Sequence, residues 1–182
     1  MNPIVIDQTP DEARLAFEVH QHAAIQRIRL ARAKVSAQVI DDAPKASVSV
    51  SFNFRAKALV APKKIMRLEI GFRMAGVEDP GTGAVAQKQS EPVVSVECSY
   101  EVDYVIGEDF EPSAEHVKAF KDGNAIFNVW PYFREYLQNN LQRMGLPPLV
   151  APFLRLQPKP KRNEAGKGAL RAGKKSSGSF EG

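Results

Sequence analysis

The sequence predicts an α+β fold: a four-stranded antiparallel sheet followed by a long helix. Residues 47–58, 66–74 and 94–106 alternate apolar and polar side chains with a period of two, the pattern of strands with one dry and one wet face. Residues 124–144 switch to apolar side chains at every third or fourth position. The links between strand segments carry turn residues, which favours an antiparallel meander over parallel strands with helical crossovers.

The chain has 182 residues, enough for one domain with a sizeable core, and 43% of them are hydrophobic. Residues 1–24 contain Pro3 and Pro10 and a mixed helical spacing in Leu15, Val19 and His22, read as an N-terminal arm or short helix. The first strand segment is 25–40. Ile28 and Leu30 share one parity there, and Ala31, Ala33, Val35, Ala37 and Val39 the other, so the expectation is a bulge near Leu30 or a strand whose two halves bury opposite faces, with a helix as the competing reading because Ala, Arg and Lys favour it. In the second strand Val48, Val50, Phe52, Phe54, Ala56 and Ala58 face inward. In the third, Met66, Leu68, Ile70, Phe72 and Met74 do so, with Arg67, Glu69 and Arg73 outward. In the fourth, Val94 to Ile106 bury every second residue, including Cys98, opposite Ser95, Glu97, Ser99, Glu101 and Asp103.

After the strands, Ser113 is a candidate cap for a helix ending near Lys121-Asp-Gly123. The main helix then runs through Ile126, Trp130, Phe133, Leu137, Leu141 and Met144, with Asn128 as its candidate cap and Pro131 in its first turn or at a kink. Gly145 ends it. Residues 146–156 are apolar but proline-rich and are expected to lie extended across the body. The domain is thus 25–156, and 157–182 is read as a basic disordered tail. That tail holds seven Lys or Arg and two Glu. The chain's +4 less the tail's +5 leaves the body at −1, so the positive charge is not that of a folded nucleic-acid binder.

Catalytic and metal signatures are weak. His20 and His22 lie two apart in a helical pattern and do not share a face. Gly81-Thr-Gly83 does not precede a helix, so it is not read as a phosphate loop. Cys98, the single cysteine, falls on an inward strand position, where core packing is the expected role. Asp79, Asp109, Glu111 and Glu135 have no nucleophile to serve. No enzyme activity, cofactor or metal is expected. No apolar run is long enough to span a bilayer and no secretory signal pattern opens the chain, so the cytoplasm is the expected location.

The aromatic content of the main helix exceeds what one sheet face requires. Phe127, Trp130, Tyr132, Phe133 and Tyr136 spread around the helix, which points to cover on two sides or to a groove for apolar polypeptide. With Leu137 and Phe153 they form the candidate client-binding or interface set.

The same region carries a family resemblance. Asn128-Val-Trp-Pro-Tyr-Phe-Arg-Glu135, followed by Arg143-Met-Gly-Leu-Pro-Pro-Leu-Val-Ala-Pro-Phe153, resembles the SecB family of protein-export chaperones. Pro131, Tyr132, Arg134 and Glu135 match the element that opens the family's long helix. Gly145, Leu146, Pro147 and Leu149, then Ala151, Pro152 and Phe153, match the segment that closes it. The resemblance implies a SecB-like fold, a homotetramer built as a dimer of dimers, and holdase binding of unfolded or precursor polypeptides along apolar surface grooves. It implies transfer of clients to the SecA motor in many members, and service to toxin–antitoxin systems in others. This chain departs from that pattern in its nearly neutral body, its basic tail, and Arg55, Lys57, Arg67 and Arg73 at outward strand positions.

Overall fold

A computed structural model describes residues 3–38, 48–78 and 91–159. The expectations for the tail beyond 159, and for Asp79 and the Gly-rich link that follows it, lie outside the described residues. The elements are β1 (Ile4–Gln8), α1 (Pro10–His22), β2 (Ala23–Ala37), β3 (Val48–Leu59), β4 (Ile65–Glu78), β5 (Val94–Ile106), α2 (Ala114–Phe120), α3 (Ile126–Arg143) and β6 (Leu154–Pro158). The fold is α+β, with β2–β5 as a four-stranded antiparallel sheet and α3 as the long helix behind it.

The strand order is β2-β5-β4-β3. The meander therefore holds for β3, β4 and β5, but β2 joins the far edge beside β5 instead of pairing with β3. The parity change in β2 has a structural cause. Register shifts fall between Ile25 and Arg27 and between Leu30 and Arg32, the second at the expected place. Each inserts one residue and restores the face. Ile25, Ile28, Leu30, Ala33 and Val35 consequently pair with inward residues of β5, while Arg27, Arg29, Arg32 and Lys34 pair with outward ones.

Of the two readings of the N-terminal segment, the described residues show the short helix, α1. Thr9 caps α1 in a reciprocal box with Glu12, and Pro10 occupies the first turn, where its missing N–H costs nothing. Ala16 and Val19 are buried. β1 pairs in parallel with β6, from Ile4 opposite Leu154 to Gln8 opposite Pro158. The two ends of the described chain thus form a small second sheet, which a reading of local pattern does not reveal because each strand is only 5 residues long.

The helical region is continuous. Ser113 caps α2 as expected, its Oγ accepting from the His116 N–H. The chain does not break at Gly123; a π-helical turn, Lys121–Ala125, carries α2 into α3. Gly123 leaves room for the buried Gln8 side-chain amide, which an added Cβ would displace. Asn128 is therefore not a cap. It lies inside α3, and its Nδ2 donates to the Tyr104 hydroxyl at 3.3 Å. Pro131 also lies inside α3 and has no N–H to offer the carbonyl of half-exposed Phe127. The helix ends at Gly145, whose φ of 71° lets its N–H reach Gln142 O and the Leu146 N–H reach Leu141 O, a Schellman motif.

The core lies between α3 and the inward face of the sheet. Phe133 stacks on Phe72 with ring centroids 4.8 Å apart, and Phe52 meets both Trp130 and Phe133 edge-on. The outward face is drier than its sequence suggests. Ser95, Ser99, Asp103 and Glu69 are buried there, with Arg27 reaching over Asp103 and with Arg32 and Lys57 reaching over Glu69 from opposite edges of the sheet.

Candidate polypeptide-binding groove

The seven aromatic and aliphatic candidates separate into three groups. Trp130, Phe133 and Leu137 lie in the core. They recur at spacings of three and four on the face of α3 that packs on the sheet, so no client reaches them without unpacking the helix. The Trp130 indole also donates to the Pro152 carbonyl at 3.0 Å, fastening the proline-rich segment to α3.

Phe127 and Phe153 belong to one flank of α3. Phe127 and Arg134 are seven residues apart, hence on the same side of the helix. The Arg134 guanidinium lies 5.0 Å from the Phe153 ring centroid, over a ring that is 71% exposed. Phe127 is half exposed.

Tyr132 and Tyr136 belong to the other flank, with Asn128 one turn before them. The Tyr132 ring lies 6.3 Å from that of Tyr100, and the Tyr100 hydroxyl donates to the Tyr132 carbonyl at 3.1 Å. Tyr100 is paired with Leu30 across β5 and β2. This flank therefore stands as a wall beside the inward face of β2. The floor is Ile25 and Leu30, which are 47% and 45% exposed, with half-buried Ile28 and Val35 between and beyond them. Tyr132, 48% exposed, forms the rim.

The geometry has a simple origin. A helix is about 10 Å across. Four strands spaced at about 4.8 Å make a wider layer. α3 lies against β3, β4 and β5, and the aliphatic face of edge strand β2 stays half open. The floor residues Ile25 and Leu30 are absent from the sequence-derived candidates. Leu30 shares a parity with Ile28, and alternation alone assigns such a position to the core. A single 18-residue helix cannot cover all four strands.

The remaining candidates do not converge on chemistry. Cys98 is buried, and burial pushes its thiol up to about 12, so it stays protonated and inert. His22 stacks on Phe110 with centroids 4.6 Å apart, while His20 packs near Phe17. Asp109 and Glu111 are solvent-exposed, and Glu135 accepts from Asn139. Among the described residues no three His, Cys, Asp or Glu side chains stand close enough to hold a metal. Among the same residues no helix is long and apolar enough to cross a membrane.

A four-stranded sheet in this order, backed by a long helix that closes on a proline-rich segment, is a SecB-like fold. The chain is similar in structure to a SecB-like chaperone of Mycobacterium tuberculosis, solved in complex with a peptide from an antitoxin. The TM-score is 0.65 at 19% sequence identity, covering 79% of this chain and 99% of the other. A protein of unknown function from Streptococcus agalactiae aligns with a TM-score of 0.41 and 7% identity over 72% of this chain and 97% of its own. No protein-family model matches the sequence, and no curated protein matches it.

Proposed function

We propose that this protein is a molecular chaperone of the holdase type, which keeps unfolded or precursor polypeptides competent for export. The observation that carries this reading is the half-open aliphatic face of β2 beside the Tyr132 flank of α3. Apolar side chains of a non-native chain placed there lose water contact at roughly 25 cal/mol per Å². The free edge of β2 offers backbone groups to an extended segment at the same time. Neither interaction depends on sequence detail, which suits a binder of many unfolded clients. The exposed members of the candidate set, Phe127, Tyr132 and Phe153, serve clients or subunit contacts in this reading, with Tyr136 behind the rim. A homotetramer assembled as a dimer of dimers, residence in the cytoplasm and delivery of clients to SecA belong to the same reading.

A second reading is favoured by one observation: the Mycobacterium neighbour was solved with an antitoxin peptide. In it the groove serves one dedicated partner, as in a chaperone associated with a toxin–antitoxin system. Light scattering of a chemically unfolded enzyme diluted into buffer, with and without the purified full chain, tests the holdase reading. Suppressed aggregation and a complex visible by native mass spectrometry are expected. Unchanged aggregation of several unrelated clients, with no complex, would sink it. Protection of a single co-encoded partner and nothing else would favour the second reading.

A further inference from the structure

The face of the sheet opposite α3 is organised in rows that cross all four strands. Arg27, Asp103 and Arg67 lie in one row, closed on β3 by Leu59. Arg29, Glu101, Glu69 and Lys57 form the next, and Arg32, Ser99, Gly71 and Arg55 the one after it. Lys34, Glu97, Arg73 and Asn53 follow. These rows hold eight cations and four carboxylates, although the body as a whole is −1. The carboxylates are already engaged. Asp103 is held by Arg67 and Arg27, Glu69 by Arg32 and Lys57, Glu101 by Arg29 and Glu97 by Arg73.

The last two rows differ from the others. The first of them is small and neutral at its centre, Ser99 and Gly71, and beside the Glu97–Arg73 pair of the second it leaves a depression of about 700 Å³ between the strands' long side chains. Gly71 makes this possible: the Arg55 side chain lies across it, with Nε 3.2 Å from where a Cβ would stand. Arg55 and Lys34 have no ion-pair or hydrogen-bond partner among the described residues. Four cations (Arg32, Lys34, Arg55 and Arg73) thus line one depression with a single carboxylate, Glu97.

We propose that this depression is a docking site for an acidic polypeptide segment, separate from the groove and independent of the chaperone reading. The unpaired Arg55 fork and the Lys34 ammonium, flanked by Arg32 and Arg73, suit carboxylates that approach from solvent. Arg32 and Arg55 sit on opposite edge strands, three strand spacings or about 14 Å apart. Residues four apart in an extended chain span about the same distance, so one segment with acidic residues at that interval reaches both. A nucleic acid fits less well. Among the described residues none of the exposed aromatic side chains, Phe17, Phe127, Tyr132 and Phe153, belongs to this face, so those residues give it no platform on which bases stack. The fixed carboxylates also interrupt the positive track that a phosphate backbone follows.

The probe is a fluorescein-labelled 13-residue Gly/Ser peptide with Glu at every fourth position, titrated against the full chain by anisotropy at low salt. Its Gln counterpart and a single-stranded oligothymidylate of equal charge are controls. Saturable binding of the Glu peptide, absent for the Gln peptide, is expected. Arg55→Glu should weaken it about tenfold, and Arg55→Glu with Lys34→Glu further, since charge reversal at unpaired sites converts attraction into repulsion. Amide shifts in the wild-type chain should map to Gly71, Asn53 and Ser99, which locates the site without any variant. No binding, equal binding by Arg55→Glu, shifts confined elsewhere, or tighter Arg55-dependent binding of the oligothymidylate would each overturn the proposal.

Discussion

Leu30 and Tyr100 are directly paired neighbours on β2 and β5, yet Tyr100 is buried while Leu30 is half exposed. One strand spacing separates the covered sheet from the open one. The boundary is set by the Tyr132 flank of α3, which covers Tyr100 and stops short of Leu30.

Replacing Leu30 by Ser should therefore impair client capture far more than folding. A half-exposed Leu offers a client about 1 kcal/mol of apolar contact, so affinity for an unfolded chain should fall roughly fivefold, and further with Ile25→Ser. The comparison is between aggregation suppression and thermal midpoint for each variant. A large loss of stability with unchanged suppression would place Leu30 in the core of the working protein.

Trp130 should behave in the opposite way. Its ring packs against Phe72 and Phe133, and its N–H satisfies the buried Pro152 carbonyl. Trp130→Phe keeps most of the packing but orphans that carbonyl, at about 1–3 kcal/mol. Trp130→Ala adds a cavity and should cost about 3–5 kcal/mol. Urea unfolding measures both.

Acid should loosen the outward face. The Glu69 carboxyl, held first by Lys57 and also by Arg32, is drawn down to about 2, against its own desolvation. Asp103 is lowered by Arg67 and Arg27. A carboxylate with a depressed folded-state pKa favours the folded state fully above its ordinary value of 4.5 and loses that contribution as pH falls toward 2. Urea midpoints should hold steady from pH 7 to about 5 and then decline. In Glu69→Gln the decline should be shallower, because one of the titrating groups is gone. A decline as steep as the parent's would show that Glu69 is not a source of it.

Gly145→Ala isolates a conformational cost. Nothing lies within 4 Å of the added Cβ, so only the left-handed φ of 71° penalises it. The loss should be about 1 kcal/mol in urea unfolding, with no change in client capture.

Much of the fold was legible in local pattern. The alternation in 47–58, 66–74 and 94–106 corresponds to β3, β4 and β5, and the 3.6-residue period after residue 124 corresponds to α3. Ser113 and Gly145 act as the helix signals they resemble, because caps are chosen by the backbone groups of a few neighbouring residues. Asn128 misled for the same reason. It has a cap's chemistry, but a π-helical turn carries the preceding helix through it. The candidate groove was half legible. The aromatic excess of α3 was plain in the sequence, whereas burial removed Trp130, Phe133 and Leu137 from the surface and exposure brought in Ile25 and Leu30.

The sequence by itself determined what depends on near neighbours: the period of each element, its start and stop, and the separation of arginines from aliphatics along β2. The tertiary structure alone decided what depends on distant partners. It placed β2 beside β5 instead of β3, paired Ile4–Gln8 with Leu154–Pro158, and set Arg32 and Arg55 across a neutral floor. The physical reason is that strand pairing satisfies backbone groups with partners any distance away in the chain, and local pattern records only that a partner is needed.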